Sequence, residues 1–177
     1  MTQRGIILIT GIMAAGKSTV AQALAERLPN SVHVRGDVFR RMIVNGRVEM
    51  SPDYDEAAWM QLRLRYQLAA QVSRAYSEAG FTVICQDIIL GEVLRDVVEM
   101  HRHAHPLHLV VLCPSVEVVA EREAQRQKVG YGDWTPHALD HDLRTNTPRL
   151  GLWLDTSTLT VAQTVDTILA RLPEAAV

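Results

Sequence analysis

Short apolar runs alternate with longer stretches of helical periodicity from one end of the chain to the other. This is the pattern of a parallel sheet whose strands are joined by crossover helices. Five runs predict strands: GIILIT (5–10), SVHV (31–34), FTVICQ (81–86), LHLVVL (107–112) and LGLWL (150–154). Several are almost continuously apolar and β-branched, as strands covered on both faces are. Helical spacing marks 18–28, 37–45, 55–80, 90–102, 115–127 and 160–172. The expected fold class is α/β: a single three-layer domain over 1–177, with a five-stranded parallel sheet and helices on both faces.

Two connections are too long and polar for tight turns, Gly46–Tyr54 and Lys128–Pro136 with its GYGDWTP. Both are candidate lids, the second at about 127–136. The final PEAAV is expected to fray.

Composition narrows the classes further. The 177 residues are 47% hydrophobic and 21% charged, with a net charge of −2. That is ordinary for a soluble globular domain, offers no global basic field for nucleic acid, and contains no run of the ~18 apolar residues a membrane span needs. The N-terminus enters a glycine motif too soon for a signal peptide, so a cytoplasmic location is expected. Cys85 and Cys113 stand far apart at the ends of strand-like runs and are expected to be buried reduced thiols.

The strongest chemical signal is Gly11-Ile-Met-Ala-Ala-Gly16-Lys17-Ser18, between a strand and an amphipathic helix. It fits the phosphate loop G-x-x-x-x-G-K-[ST] of P-loop NTPases. Glycines at both ends let the backbone wrap around phosphate oxygens, and successive N–H groups supply positive potential. Lys17 adds a mobile cation for the β- and γ-phosphates, and the Ser18 hydroxyl suits Mg²⁺. Gly11, Ala14, Ala15, Gly16, Lys17, Ser18 and Thr19 form the expected nucleotide-binding set.

The reaction depends on what faces that loop. Asp37 follows the second strand, at the carboxyl edge where ligands sit in open α/β sheets. It suits a general base toward a hydroxyl, with Arg40 one turn later to neutralise phosphoryl charge; an aspartate there also suits a helix N-cap. Asp87 ends the third strand, where a carboxylate binds a water of the Mg²⁺ shell or orients the acceptor. Arg122 and Arg126, at i and i+4, share a helix face, as guanidinium groups that stack on adenine and clamp phosphates or as partners in ordinary surface ion pairs. Arg41, Tyr54, Trp59 and Arg63 complete a candidate acceptor pocket in the segment 37–66. Trp59, Leu62 and Tyr66 also follow the spacing of a core stripe.

The loop at 11–18, RGDVFR, Asp87, the R-x-x-x-R of Arg122 and Arg126, and a last strand running into DTSTLTVAQTV together resemble the small P-loop kinases related to chloramphenicol phosphotransferase. That resemblance implies a nucleoside-monophosphate-kinase-like fold and ATP with Mg²⁺ as cofactors. It implies Asp37 as base, Arg122 and Arg126 on the nucleotide, and Thr156 and Ser157 beside the adenine. The substrate-side segment RRMIVNGRVEMSPDYDEAAW looks unlike that of the chloramphenicol enzyme. The spacing from Asp37 to Arg40 is also similar to phage-type polynucleotide kinases. Arg35, Arg40, Arg41 and Arg47 would form their basic groove, but Glu49, Asp53, Asp55 and Glu56 follow at once and no aromatic stacking platform appears.

The expected function is therefore transfer of the γ-phosphoryl of ATP to a small-molecule hydroxyl, an antibiotic among the candidates. Lys17, Asp37, Arg40 and Arg126 would be catalytic, with Mg²⁺ held by Ser18 and, through water, Asp87. A polynucleotide 5′-hydroxyl kinase and a noncatalytic nucleotide-binding switch are the alternatives. His101, His103, His105 and His108 crowd one segment but precede the fourth strand, on the amino edge, and are expected in a solvated turn. His137 and His141 are expected at the surface. Arg149 is expected to anchor the start of the last strand.

Overall fold

The computed structural model describes residues 5–102, 106–125 and 133–177. Arg126, most of the 127–136 connection, His103 and His105 lie outside them.

Five parallel strands form one sheet in the order β2-β3-β1-β4-β5. They are β1 (Gly5–Thr10), β2 (Ser31–Arg35), β3 (Thr82–Gln86), β4 (Leu107–Leu112) and β5 (Leu152–Leu154). Every strand is parallel, as expected, and β1 is central, paired with β3 and β4. β1, β3 and β4 are buried throughout, which is why their sequences show no alternation. Parallel pairing needs crossovers, supplied by α1 (Lys17–Arg27), α2 (Gly36–Arg41), α3 (Glu56–Glu78), α4 (Val93–His101), α5 (Val116–Ala124) and α6 (Pro136–Asn146). α7 (Val161–Ala170) follows β5. Helices cover both faces; α1 packs on α7, and α3 on α4. The core of Ile6, Leu8, Ile9, Leu24, Ile84, Leu109 and Leu112 lies between sheet and helices.

Several sequence expectations need correction. The last strand begins at Leu152, because Gly151 (φ 65°) turns the chain tightly against the Leu109 carbonyl. The helix after β2 stops at Arg41, and 42–45, expected to continue it, is not helical.

The C-terminus does not fray. Leu172–Ala175 forms a 3₁₀ turn, Ala176 bridges to His108, and the Val177 N–H donates to the Leu107 carbonyl.

His101 and His108 are buried, not in a solvated turn; the His101 Nδ1 lies 2.9 Å from the Val97 carbonyl.

α6 has no counterpart among the expected helices. Thr135 caps it, its hydroxyl accepting from the Ala138 N–H, and Pro136 occupies the first turn, where its missing N–H costs nothing. Leu139 and Leu143 fix its buried side. His137 and His141 lie on its exposed side, as expected. Arg149 stacks its guanidinium 3.9 Å from the centroid of Trp153. Among the described residues no helix is long and apolar enough to cross a membrane.

Candidate active site

The carboxyl ends of β1, β2 and β3 open into a cleft of about 820 Å³. One end is the 11–18 loop. Gly11 (φ 142°) is pressed against the Leu112 carbonyl, where a Cβ would overlap it, and Ala14 adopts φ 61°. Gly16 then N-caps α1, so the positive end of the helix dipole lies at the loop. Lys17 is 8% exposed and donates from Nζ to the Ile12 carbonyl at 2.7 Å, curled over the loop. Ala14, Gly16, Lys17 and Ser18 line the cleft; Gly11 and Ala15 are buried beneath it, and Thr19 lies on the exposed side of α1.

At the other end stands Asp37, in the first turn of α2. Its Oδ1 accepts from Arg40 at 3.1 and 3.2 Å, and its Oδ2 pairs with Arg41 at 2.5 Å. Partial burial alone would raise its pKa, but the Arg40 hydrogen bonds and the charges of Arg40, Arg41 and Arg65 outweigh that and hold it below the ordinary aspartate value. Asp37 is therefore an ionised acceptor, able to take a hydrogen bond from a hydroxyl. It does not cap α2 with its side chain.

Arg40 also pairs with Glu49, which itself pairs with Arg47 at 3.1 Å. Gln61 on α3 completes this anchorage: its Oε1 accepts from the Val48 N–H and its Nε2 donates to the Gly46 carbonyl. The candidate lid at 46–54 is thus tied to α2 and α3, with Tyr54 against Trp59 at 6.3 Å between ring centroids. Tyr54, Trp59, Arg40 and Arg41 all line the cleft.

Asp87 lies between the two ends, 4% exposed. It accepts its own neighbour Ile88 N–H and a two-point ion pair from Arg65. Arg63, the expected pocket residue, is on the exposed side of α3; Arg65, two residues on, is the arginine that enters the cleft. Tyr66 beside it is buried, donates to the Ile88 carbonyl, and is kept protonated by burial, its pKa pushed up to about 12. A Cβ on Gly36 would overlap the Asp87 carboxylate, so the turn that carries Asp37 can approach only as glycine.

Arg122 sits on the phosphate-loop side, donating to the Thr156 carbonyl at 3.3 Å, with its Nη1 3.8 Å from where a Gly16 Cβ would be. Ser157 binds the Ser115 N–H and Asp155. The Arg122 contacts bring Thr156 and the loop together. Trp134, Leu139 and Asp142 line the cleft from the α6 side, site residues that the sequence pattern alone does not single out. Thr135-Pro136 followed by Leu139 and Leu143 is the sequence signal that locates their helix.

The donor set suits a Mg²⁺-nucleotide. Ser18 offers a hydroxyl beside Lys17 at a helix N-terminus, and Mg²⁺ keeps most of its waters and takes few protein ligands.

The AAA domain family matches residues 6–146. No curated protein matches the sequence. Among solved structures, a sugar kinase from Janibacter sp. HTCC2649 is similar at 20% identity and TM-score 0.70, covering 97% of this chain and 95% of that one. The tunicamycin resistance protein of Deinococcus radiodurans is similar at 21% identity and TM-score 0.66, covering 97% of each chain. A gluconokinase from Sinorhizobium meliloti 1021 is similar at 23% identity and TM-score 0.63, covering 98% and 94%. These likenesses show a shared α/β P-loop fold.

Proposed function

The chain belongs to the AAA domain family, and on that premise we propose that it is an ATP-dependent phosphotransferase acting on a hydroxyl of a small molecule. The observation that carries this is Asp37, ionised and held by Arg40, in the same cleft as Gly16, Lys17 and Ser18. A phosphate loop alone serves any nucleotide-binding protein; a fixed carboxylate opposite it serves transfer to an acceptor hydroxyl.

In this reading the 11–18 loop and Lys17 would hold the phosphates, and Ser18 would hold a Mg²⁺ ion whose charge would offset that of the transferring group. Asp37 aligns the acceptor hydroxyl and takes its proton as transfer proceeds. Arg40 keeps the Asp37 carboxylate ionised and in place and holds the acceptor beside it, and Arg122 steadies the nucleotide. Arg126 belongs to the same proposal by its spacing from Arg122. Closure of the 127–136 connection would exclude water, the competing acceptor. The relation to chloramphenicol phosphotransferase-like kinases, including an antibiotic as acceptor, remains part of this proposal. A nucleic-acid groove gains no support: Arg35 hydrogen-bonds Gln22 outside the cleft, and Arg47 pairs with Glu49.

The test is ATP consumption with Mg²⁺ over hydroxylated antibiotics, sugars, nucleosides and a 5′-hydroxyl oligonucleotide. Lys17→Ala is expected to abolish transfer. Asp37→Asn is expected to keep ATP affinity and lower turnover ~10²–10⁴-fold. Equal loss of ATP binding in both variants would overturn this division of roles, and intact function in Asp37→Asn would favour a noncatalytic switch.

A further inference from the structure

The arginines of the acceptor half are already committed. Arg40 is shared by Asp37 and Glu49, Arg41 pairs with Asp37, and Arg65 with Asp87. Beyond Lys17, five carboxylates and three arginines line the cleft among the described residues: Asp37, Glu49, Asp87, Asp133 and Asp142 against Arg40, Arg41 and Arg65. Asp142 accepts from Asn146 and has no ion pair among the described residues. An acceptor bearing a carboxylate or phosphate would have to compete with Asp37 and Glu49 for Arg40 or Arg41, or strip Arg65 and leave Asp87 uncompensated, and in either case would lie beside the charge of these acids.

Apolar side chains make up much of the rest of the lining. Trp59 and Leu62 from α3, Leu90 and Val93 beyond β3, and Trp134 and Leu139 at α6 face the same space. Such walls take a flat apolar surface, and the surplus acids take hydroxyl or ammonium donors.

From this we infer that the acceptor is an uncharged or amine-bearing polyhydroxy compound with an apolar face, and that carboxylated and phosphorylated acceptors are rejected. This rests on the phosphotransferase reading and sharpens it. Glu49 is the residue that sets the preference at the Asp37 end, because it takes the second half of Arg40. Asp142 sets it at the α6 end.

The experiment measures kcat/KM for ATP-dependent transfer to matched acceptors: glucose, glucosamine and gluconate; phenyl glucoside and phenyl glucuronide; adenosine and adenosine 5′-monophosphate. Neutral or amine-bearing members are expected to exceed their anionic partners at least tenfold. Glu49→Gln is expected to narrow that ratio several-fold by releasing Arg40, and Asp142→Asn to reduce the preference for the amine over the neutral member without lowering ATP affinity. Preference for an anionic member by the wild-type protein would overturn the inference while leaving the kinase reading intact. No transfer to any member by protein that binds ATP would overturn both.

Discussion

Arg65 on α3 and Asp87 at the end of β3 close a two-point ion pair inside the cleft, the two side chains only 12% and 4% exposed. At that burial each charge depends on the other, since removing one partner leaves the second unsolvated and unpaired. Arg65→Ala is expected to cost about 3–5 kcal/mol of stability, read as a lowered urea midpoint. Arg65→Lys keeps the charge but not the two-point geometry, and is expected to lose less stability while still lowering turnover.

Gly36 lies against the same carboxylate. Gly36→Ala is expected to push Asp87 away from Arg65 and cost about 1–3 kcal/mol, the range for overpacking a filled site. The check is a double-mutant cycle of unfolding curves, Gly36→Ala, Asp87→Ala and both together. A smaller cost of Gly36→Ala in the Asp87→Ala background would trace the loss to this contact.

The 46–54 segment depends on Gln61, which satisfies both the Val48 N–H and the Gly46 carbonyl. Gln61→Ala is expected to speed amide exchange and protease cleavage in 46–54 while leaving the β1 amides as protected as before. Unchanged exchange in 46–54 would show that Glu49 and Arg40 suffice to hold it.

His33 provides the pH-dependent case. Burial, with the Arg35 charge beside it, lowers its pKa from 6.5 to about 4. The folded state therefore binds fewer protons than the unfolded state between those values, and its stability contribution is complete above 6.5 and declines as pH falls toward 4. Urea midpoints measured from about pH 7.5 down to about pH 5 should fall for the wild type and fall less for His33→Gln.

Asp37 has the opposite window. Its lowered pKa makes its stability contribution present above the unfolded aspartate value of about 3.9 and lost only as pH drops below it. The acid limb of kcat/KM is expected below about pH 4, whereas a limb near neutrality would assign the essential base to another group.

Much of this was legible because some residue types have few alternatives. Branched apolar runs such as LHLVVL read as buried strands, and they form the sheet in the expected parallel arrangement. Gly11 to Ser18 reads as a loop before a helix because its glycines leave little else. Asp37 and Asp87 stand out by their position just past strands, which topology alone turns into an edge of the sheet. What escaped was the information carried by phase and partner. Arg63 and Arg65 are equivalent in a helical pattern until β3 places Asp87 opposite one of them. The C-terminal PEAAV has the composition of a frayed end, and only the backbone of β4 supplies its partners. In α6, Pro136 reads as the end of a connection, although at a first helical position it begins a helix.

With β1 in the middle of the sheet, the phosphate loop stands at a junction between two flanks of the chain. The β2 and β3 flank carries Asp37, Asp87 and the 46–54 segment, and the β4 and β5 flank carries Arg122 and Thr156. On the proposed reading, the acceptor contacts at the Asp37 end can therefore change without touching the residues that hold the nucleotide.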